Sequence, residues 1–290
     1  MQQQVYTKAT RRAAGRRTGL RRTGARDKVR GVTPPIEELL TIATPRGRLS
    51  ATSWTPAGAV HAPILLFHDS LGAVELWRSF PAALALATER RVIAYDRLGF
   101  GRSDPHPGRL EVDFVADEAR SAVPALLAAL GLEEGFVACG HSVGGGMATE
   151  TAARYPEACR ALVTIGAQSF IEAKTLDSIR AAKPYFAEPA NLARLARYHG
   201  DKAAWVVDAW IGSWLRPEFA SFTLDAALAA VRCPILAIHG ELDEYGSLAQ
   251  PRRIAGAKGI EKVLPGIGHV PHRENEALVV SLIGDFLRGL

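Results

Sequence analysis

Short apolar runs alternate with longer segments of helical hydrophobic spacing from about residue 33 to the end of the chain. A continuous apolar run is typical of a strand that is buried on both faces of a parallel sheet. Strands that alternate with helices form βαβ units. The pattern therefore predicts an α/β fold, a mostly parallel twisted sheet with helices on both faces. The runs that predict its strands are "APILLFHDS", "RRVIAYDRLGFGRSDP", "GFVACG", "ALVTIGA", "PILAIHG" and "EKVLPGIGH".

Two further segments carry local signals. Extended segments around residues 39–44 and 49–54 flank the turn "PRGR", which predicts a hairpin ahead of the first buried strand. The segment "EVDFVADEARSAVPALLAALG" has helical spacing throughout, which predicts one long amphipathic helix ending at Gly131.

The alternation of strands and helices is interrupted once, at about residues 168–230, where helical spacing continues without an apolar strand. This insertion holds a large share of the aromatic residues of the chain. Open α/β sheets bind ligands at the carboxyl ends of their strands. We therefore predict a helical cap over that edge, and an aromatic pocket under a cap favours a small, partly apolar substrate.

The N-terminal segment differs from the rest in composition. Residues 1–30 contain ten Lys or Arg and one acidic residue, so the remainder of the chain carries a net charge of −4. Few large apolar residues occur there, which predicts a basic, disordered tail over residues 1–32, with the α/β domain at 33–290. A nucleic-acid or membrane arm and an Arg-rich organelle presequence remain open alternatives.

Cysteine usage and hydropathy bear on the cellular compartment. No apolar run approaches the roughly 20 residues of a membrane span. The three cysteines are odd in number and show no paired spacing, which favours small buried side chains over a disulfide framework or a metal site. These features predict a cytoplasmic protein, while the sequence makes no prediction of oligomeric state.

The segment "GHSVGG" holds the strongest chemical signal. Gly140, Ser142 and Gly144 form a G-x-S-x-G pattern between a predicted strand and a predicted helix. A serine on such a sharp turn needs small neighbours on both sides and stands above the edge of the sheet. The helix that follows directs its N-terminal amides towards the same place. We predict that Ser142 is a nucleophile.

A serine hydroxyl needs a base to remove its proton and a carboxylate to orient that base. Asp243 lies just past the strand "PILAIHG", and His269 lies in a glycine-rich loop after the last strand. The order Ser142, Asp243, His269 is the order of the catalytic triad in folds with this elbow. Three elements at three strand ends predict one triad.

Alternatives exist for two members of the triad. Glu241 and Glu244 compete for the role of the acid, and the spacing from "HG" favours Asp243 over both. His272 competes with His269 as the base. It begins the final predicted helix, so we predict that it caps this helix or supports the residues of the site. The glycines around His269 favour a loop that points inward.

Other polar residues near the predicted strand ends are assigned structural roles. His141 adjoins the nucleophile and is predicted to pack. His68 is predicted to hold the neighbouring loop by hydrogen bonds. Asp96, Gly99 and Gly101 are predicted to shape the loop after their strand, because Asp bonds nearby turn amides and glycine permits positive φ.

The combination of these motifs resembles the α/β-hydrolase superfamily over residues 33–290. The resemblance rests on the elbow "GHSVGG", the acid loop "HGELDE", the base loop "GIGHVPHRE" and the loop "DRLGFGRSD". The segment "FHDSLGAVELW" is similar to the oxyanion region of the 3-oxoadipate enol-lactonases, although Asp69 stands where that family tends to carry asparagine. The resemblance implies an oxyanion hole formed by the backbone amides of Val143 and Ser70.

The resemblance also implies an activity. We expect a serine hydrolase that cleaves a carboxylic ester or lactone through an acyl-enzyme, with no metal or organic cofactor. A serine in the elbow disfavours the branches with an aspartate nucleophile. Two alternatives are hydrolysis of a carbon–carbon bond in a ring-cleavage product and a non-catalytic binding protein of the same fold.

Overall fold

Eight strands form one sheet in the computed structural model, which describes residues 33–290. The order of the strands in the sheet is 1-2-4-3-5-6-7-8. The first two form the predicted hairpin and the second pairs antiparallel with the fourth, while the other neighbours are parallel. The predicted class, a mostly parallel α/β sheet, is confirmed. The strands are β1 (Ile36–Thr44), β2 (Gly47–Thr55), β3 (His61–Phe67), β4 (Arg90–Tyr95), β5 (Phe136–His141), β6 (Cys159–Ile165), β7 (Ile235–Gly240) and β8 (Ile260–Leu264).

Helices follow most of the parallel strands. The α-helices of the described chain are α1 (Phe80–Thr88), α2 (Phe114–Ser121), α3 (Val123–Leu130), α4 (Val143–Arg154), α5 (Ala173–Ala187), α6 (Pro189–His199), α7 (Ala203–Trp214), α8 (Asp225–Ala230), α9 (Ala249–Ala255), α10 (Pro271–Glu274) and α11 (Glu276–Arg288). None of the helices within residues 33–290 is both long enough and apolar enough to cross a bilayer.

The core lies on both faces of the sheet because side chains alternate along each strand. On one face, Leu65 and its neighbours pack against α2, α3 and α4 in a single buried cluster. On the other face, Leu66 and its neighbours pack against α1 and α11. Each face buries its own apolar set, which accounts for the continuous apolar runs in the sequence.

The prediction of one long helix before Gly131 was wrong. The segment forms two helices, α2 and α3, that meet at Ala122. Pro124 stands at the start of α3 and has no N–H, and its ring would collide with the carbonyl four residues earlier in a continuous helix. The predicted end was right, because Gly131 adopts the left-handed conformation that closes α3.

The predicted insertion between β6 and β7 is helical within the described chain. Helices α5 to α8 fill it, and a single β-bridge joins Phe170 to Thr223. Its role as a lid over a site stays a prediction. The predicted basic tail at residues 1–32 lies outside the described residues, and the cytoplasmic location also stays a prediction.

A buried histidine fastens the insertion to two loops at the carboxyl edge of the sheet. His199, at the end of α6, is 1% exposed. Its Nδ1 accepts a hydrogen bond from the amide of Gly101 at 2.9 Å, and its Nε2 lies 3.1 Å from the carbonyl oxygen of Leu71. The ring is therefore the neutral tautomer that donates from Nε2. Burial lowers the pKa of His199 to about 4, since a charged imidazole is poorly solvated there.

We predict that stability falls as the pH falls from 7 to 5, in part because of His199. As the pH falls, His199 is protonated near pH 6.5 in the unfolded chain but only near pH 4 in the folded state. Between these values the unfolded state binds more protons, so the free energy of unfolding decreases as the pH falls. For His199 the loss amounts to about 2 kcal/mol over this range. The free energy of unfolding, measured by urea titration at several pH values, tests this.

His199→Gln keeps a donor for Leu71 but does not titrate, so its stability should depend less steeply on pH. His61→Gln, at an exposed position, serves as the matched control. Equal pH slopes for His199→Gln and the unmodified chain would contradict the prediction.

Candidate active site

The predicted nucleophile sits on a strained turn. Ser142 follows β5 directly and precedes α4, with φ 54° and ψ −126°. Positive φ is uncommon for a residue that carries a Cβ, and such conformations cost about 1–3 kcal/mol. The turn sets Ser142 at the carboxyl edge of the sheet, as the G-x-S-x-G pattern predicts.

The glycines on either side of Ser142 are required by close packing. A Cβ on Gly140 would overlap the carbonyl of Gly144, and a Cβ on Gly144 would overlap the carbonyl oxygen of Phe67. Helix α4 therefore packs closely against both β5, the strand that precedes it, and the end of β3. This approach also sets the loop after β3 beside the nucleophile.

The three predicted side chains converge. The Ser142 Oγ lies 3.0 Å from Nε2 of His269, and Nδ1 of His269 lies 2.8 Å from Oδ2 of Asp243. The serine comes from the end of β5, the aspartate from the loop after β7 and the histidine from the loop after β8. Both distances lie within hydrogen-bond range for a nucleophile, a base and an orienting acid.

Two of the alternative residues, Glu241 and His272, have other partners. Glu241 accepts a hydrogen bond from the amide of Gly266 at 3.0 Å. His272 is buried and packs its ring against Trp77, at 4.8 Å between centroids, and against Phe80. The supporting position predicted for His272 matches this packing.

The electrostatics of the pair favour an ionised acid and a basic imidazole. Burial alone would raise the pKa of Asp243, but the charge and the hydrogen bond of His269 lower it to about 2. The amides of Tyr245 and Gly246 donate to its Oδ1 at 2.7 and 3.1 Å. Burial alone would lower the pKa of His269, but the charge and hydrogen bond of Asp243 outweigh burial and raise it.

The predicted oxyanion amides belong to two adjoining segments. Val143 is the first residue of α4, where an amide has no partner within the helix. In the loop after β3, the amide of Leu71 donates to Oδ1 of Asp69 at 2.8 Å, and the amide of Gly72 donates to the Asp69 carbonyl at 3.2 Å. The amide of Ser70 makes no hydrogen bond with any residue between 33 and 290, and its place in an oxyanion hole stays a prediction.

The loops around the elbow are held as the sequence predicts. Nδ1 of His68 lies 2.8 Å from the Asp69 carbonyl, and its Nε2 accepts from the amide of Arg97 at 3.1 Å. Asp96 accepts from the amides of Val74 and Arg102 at 2.7 and 2.9 Å. Both side chains shape loops and neither contacts Ser142 in the described part of the chain.

His141 has a further role that its sequence position does not reveal. Its Nδ1 lies 3.2 Å from Oδ2 of Asp69, and its Nε2 lies 2.9 Å from the backbone carbonyl of His269. Both partners are oxygen atoms that accept hydrogen bonds, one of a carboxylate and one of a backbone carbonyl. Burial alone would raise the pKa of Asp69, but His141 and then Arg273 hold it well below its usual range. His141 thus joins the loop after β3, which carries Asp69, to the loop that carries His269.

Gln168 is a site residue that the sequence analysis missed. It is 3% exposed, and its Oε1 lies 3.4 Å from the Ser142 Oγ while its Nε2 donates to the Gly166 carbonyl at 3.2 Å. No motif contains it. Its position shortly after the end of β6, the strand next to β5, is the signal that places it at the same edge.

An aromatic path connects the insertion with the base. The ring centroids of Phe186 and Trp210 lie 6.1 Å apart, those of Trp210 and Tyr245 lie 6.0 Å apart, and those of Tyr245 and His269 lie 4.7 Å apart.

Across residues 33–290, no group of three or more His, Cys, Asp or Glu side chains is arranged to hold a metal ion.

Comparison with known proteins gives concordant matches. The family model for the alpha/beta hydrolase fold matches residues 62–206. A 2-hydroxymuconate semialdehyde hydrolase of Pseudomonas sp. (strain CF600) is 30% identical over 249 residues, which are 78% of this chain and 86% of the relative.

Two solved structures share the fold. The enol-lactonase from Burkholderia xenovorans LB400 has a TM-score of 0.65 at 20% identity, covering 86% of this chain and 100% of that one. The thermophilic esterase from Thermogutta terrifontis has a TM-score of 0.65 at 21% identity, covering 87% and 98%. Identities this low show the fold alone, so the enol-lactonase-like branch stays a prediction. The predicted superfamily is confirmed: the chain belongs to the α/β-hydrolase fold family.

Proposed function

We propose that the protein is a serine hydrolase that cleaves a small, partly apolar carboxylic ester or lactone through an acyl-enzyme. One observation carries the proposal: the Ser142 Oγ, the His269 ring and the Asp243 carboxylate form a continuous chain of hydrogen bonds at 3.0 and 2.8 Å. This chain can take a proton from the serine and hold the resulting imidazolium against a buried carboxylate.

The first half of the reaction forms the acyl-enzyme. The Ser142 Oγ attacks the substrate carbonyl while Nε2 of His269 takes the hydroxyl proton. The amides of Val143 and Ser70 stabilise the negative oxygen of the tetrahedral intermediate, and each such donor is worth about 3–4 kcal/mol. His269 then gives its proton to the leaving oxygen. For a lactone this oxygen stays attached to the acyl group.

The second half releases the acid. Nε2 of His269 takes a proton from a water molecule, which attacks the acyl carbonyl, and the proton returns to the Ser142 Oγ. Asp243 keeps the imidazole in the tautomer that presents its basic nitrogen to the serine. The aromatic path from Phe186 to Tyr245 supports an apolar substrate, and the amide of Gln168 offers it one polar contact beside the nucleophile.

A second candidate is hydrolysis of a carbon–carbon bond in a ring-cleavage product. The relative that favours it is the 2-hydroxymuconate semialdehyde hydrolase, which matches over most of the length of both chains. The same serine, base and oxyanion amides serve this reaction, with a carbon leaving group in place of oxygen. In both candidates the acyl-enzyme is formed on Ser142.

We predict that Ser142→Ala lowers kcat/KM on a short p-nitrophenyl ester by at least about 10³-fold, because the nucleophile is lost. The control is Ser70→Ala, which removes a side chain but keeps the proposed oxyanion amide and should stay within about threefold of the unmodified chain. Labelling by a fluorophosphonate should follow the same pattern. Labelling of Ser142→Ala at the rate of the unmodified chain would remove Ser142 from the mechanism and leave the binding-protein alternative open.

The pH profile of ester hydrolysis should reflect the raised pKa of His269. The base acts when neutral, so kcat/KM should rise with pH and level off above the ordinary histidine range near 6.5. Asp243→Asn removes the charge that raises this pKa, so the rise should move to lower pH while the plateau falls by about 10³–10⁴-fold. Glu241→Gln is the matched control and should keep both the position of the rise and the plateau. An Asp243→Asn profile equal to the original would contradict the assigned acid.

The two candidate reactions separate by substrate. We expect kcat/KM for short esters and an enol-lactone to exceed that for a vinylogous diketone acid by about tenfold or more, because discrimination reflects differential binding of the two transition states. All three substrates are tested on one preparation, with Ser142→Ala as the blank. A higher kcat/KM for the vinylogous diketone acid than for the esters and the enol-lactone would identify the protein as a carbon–carbon bond hydrolase instead.

A further inference from the structure

Two cysteines that are far apart in the sequence come together at the edge of the sheet opposite the candidate active site. Cys159 begins β6, and Cys233 lies two residues before β7, the parallel neighbour of β6. Their sulfur atoms lie 3.8 Å apart and are not bonded. Ser142 follows the carboxyl end of β5, so the cysteine pair and the nucleophile lie at opposite ends of the parallel strands.

The two thiols differ in exposure and acidity in the way that a reactive pair requires. Cys159 is 3% exposed, while Cys233 is half-buried. The hydrogen bond between the two sulfur atoms lowers the pKa of Cys233. The same contact, together with burial, raises the pKa of Cys159. The more accessible sulfur is therefore the better nucleophile.

The third cysteine provides a comparison within the same fold. Cys139 lies inside β5 and is fully buried. Burial raises the pKa of Cys139 to about 12. It is therefore neither accessible nor ionised near neutral pH.

We propose that Cys159 and Cys233 are a redox-active pair that low-molecular-weight organic disulfides convert into an intramolecular disulfide. The thiolate of Cys233 attacks one sulfur of the small disulfide, whose S–S bond breaks and releases one thiolate. The Cys159 sulfur, after losing its proton, attacks the Cys233 sulfur and displaces the second small thiolate. The protein loses two electrons and two protons, and the small disulfide gains them as two thiols.

The geometry requires little rearrangement for this step. The two sulfurs must close from 3.8 Å to the bond length of about 2.05 Å. Both side chains pack against the apolar cluster that contains Phe136 and Leu162. Cys159 begins β6 and Cys233 lies just before β7, so rotation of the two side chains can close this gap.

The bond would close a loop that contains β6 and the whole helical insertion. A crosslink over a segment this long restricts the unfolded chain strongly and should raise the melting temperature. It lies away from Ser142, so hydrolysis should change little. The pair thus offers oxidative stabilisation of the insertion without loss of the site.

The test uses the full chain with oxidised glutathione as the probe. We expect the number of free thiols per chain to fall from three to one and the intact mass to decrease by the mass of two hydrogen atoms. Peptide mapping should identify a disulfide between Cys159 and Cys233. The melting temperature should rise by about 5–10 °C and return on reduction. Three remaining thiols, or a crosslink between two chains, would overturn the proposal.

Variants test the order of the two steps. In Cys159→Ser, or in Cys159→Ala if the first folds poorly, glutathione should remain attached to Cys233 as a mixed disulfide. Cys233→Ser should form no adduct in the folded state, and Cys139→Ser should behave as the unmodified chain. An adduct on Cys139, or none on Cys233 in the Cys159 variants, would refute the assignment.

Discussion

The close approach of α4 to the ends of β3 and β5 is the constraint on which the rest of the site depends. It is possible only because Gly140 and Gly144 lack side chains. The approach fixes Ser142 at the carboxyl edge and brings the start of α4 beside the end of β3, where the loop that carries Ser70 begins. The parallel order of β5, β6, β7 and β8 then delivers the remaining side chains to the same edge. Sheet topology and one tight turn together align the side chains of Ser142, His269 and Asp243.

Most of this arrangement could be predicted from the chain alone. Buried parallel strands leave continuous apolar runs, and the elbow leaves a pattern of glycines around one serine. Asp243 and His269 could be found because each follows a strand end that topology places at the same edge. These signals are local in the sequence, and their convergence follows from the fold class.

The features that escaped prediction depend on partners from distant elements. The contact between His141 and Asp69 joins residues 72 positions apart, and no local sequence pattern at either residue points to the other. The contact of Gln168 with Ser142 and the hydrogen bonds of His199 arise in the same way. The pairing of Cys159 with Cys233 has no sequence spacing to reveal it. The break at Pro124 is different, because the proline is visible in the sequence. The helical spacing on both sides of it nevertheless led to the prediction of one continuous helix.

The backbone of Ser142 has a consequence for how this chain can change over evolution. A glycine at that position would adopt the same φ without strain, and the folded state would gain stability. The gain would remove the hydroxyl that lies 3.0 Å from Nε2 of His269. Under the proposed mechanism, selection for hydrolysis therefore maintains a locally unfavourable backbone conformation, and the packing of the surrounding fold must offset its cost. Activity and thermodynamic optimum are opposed at this single residue.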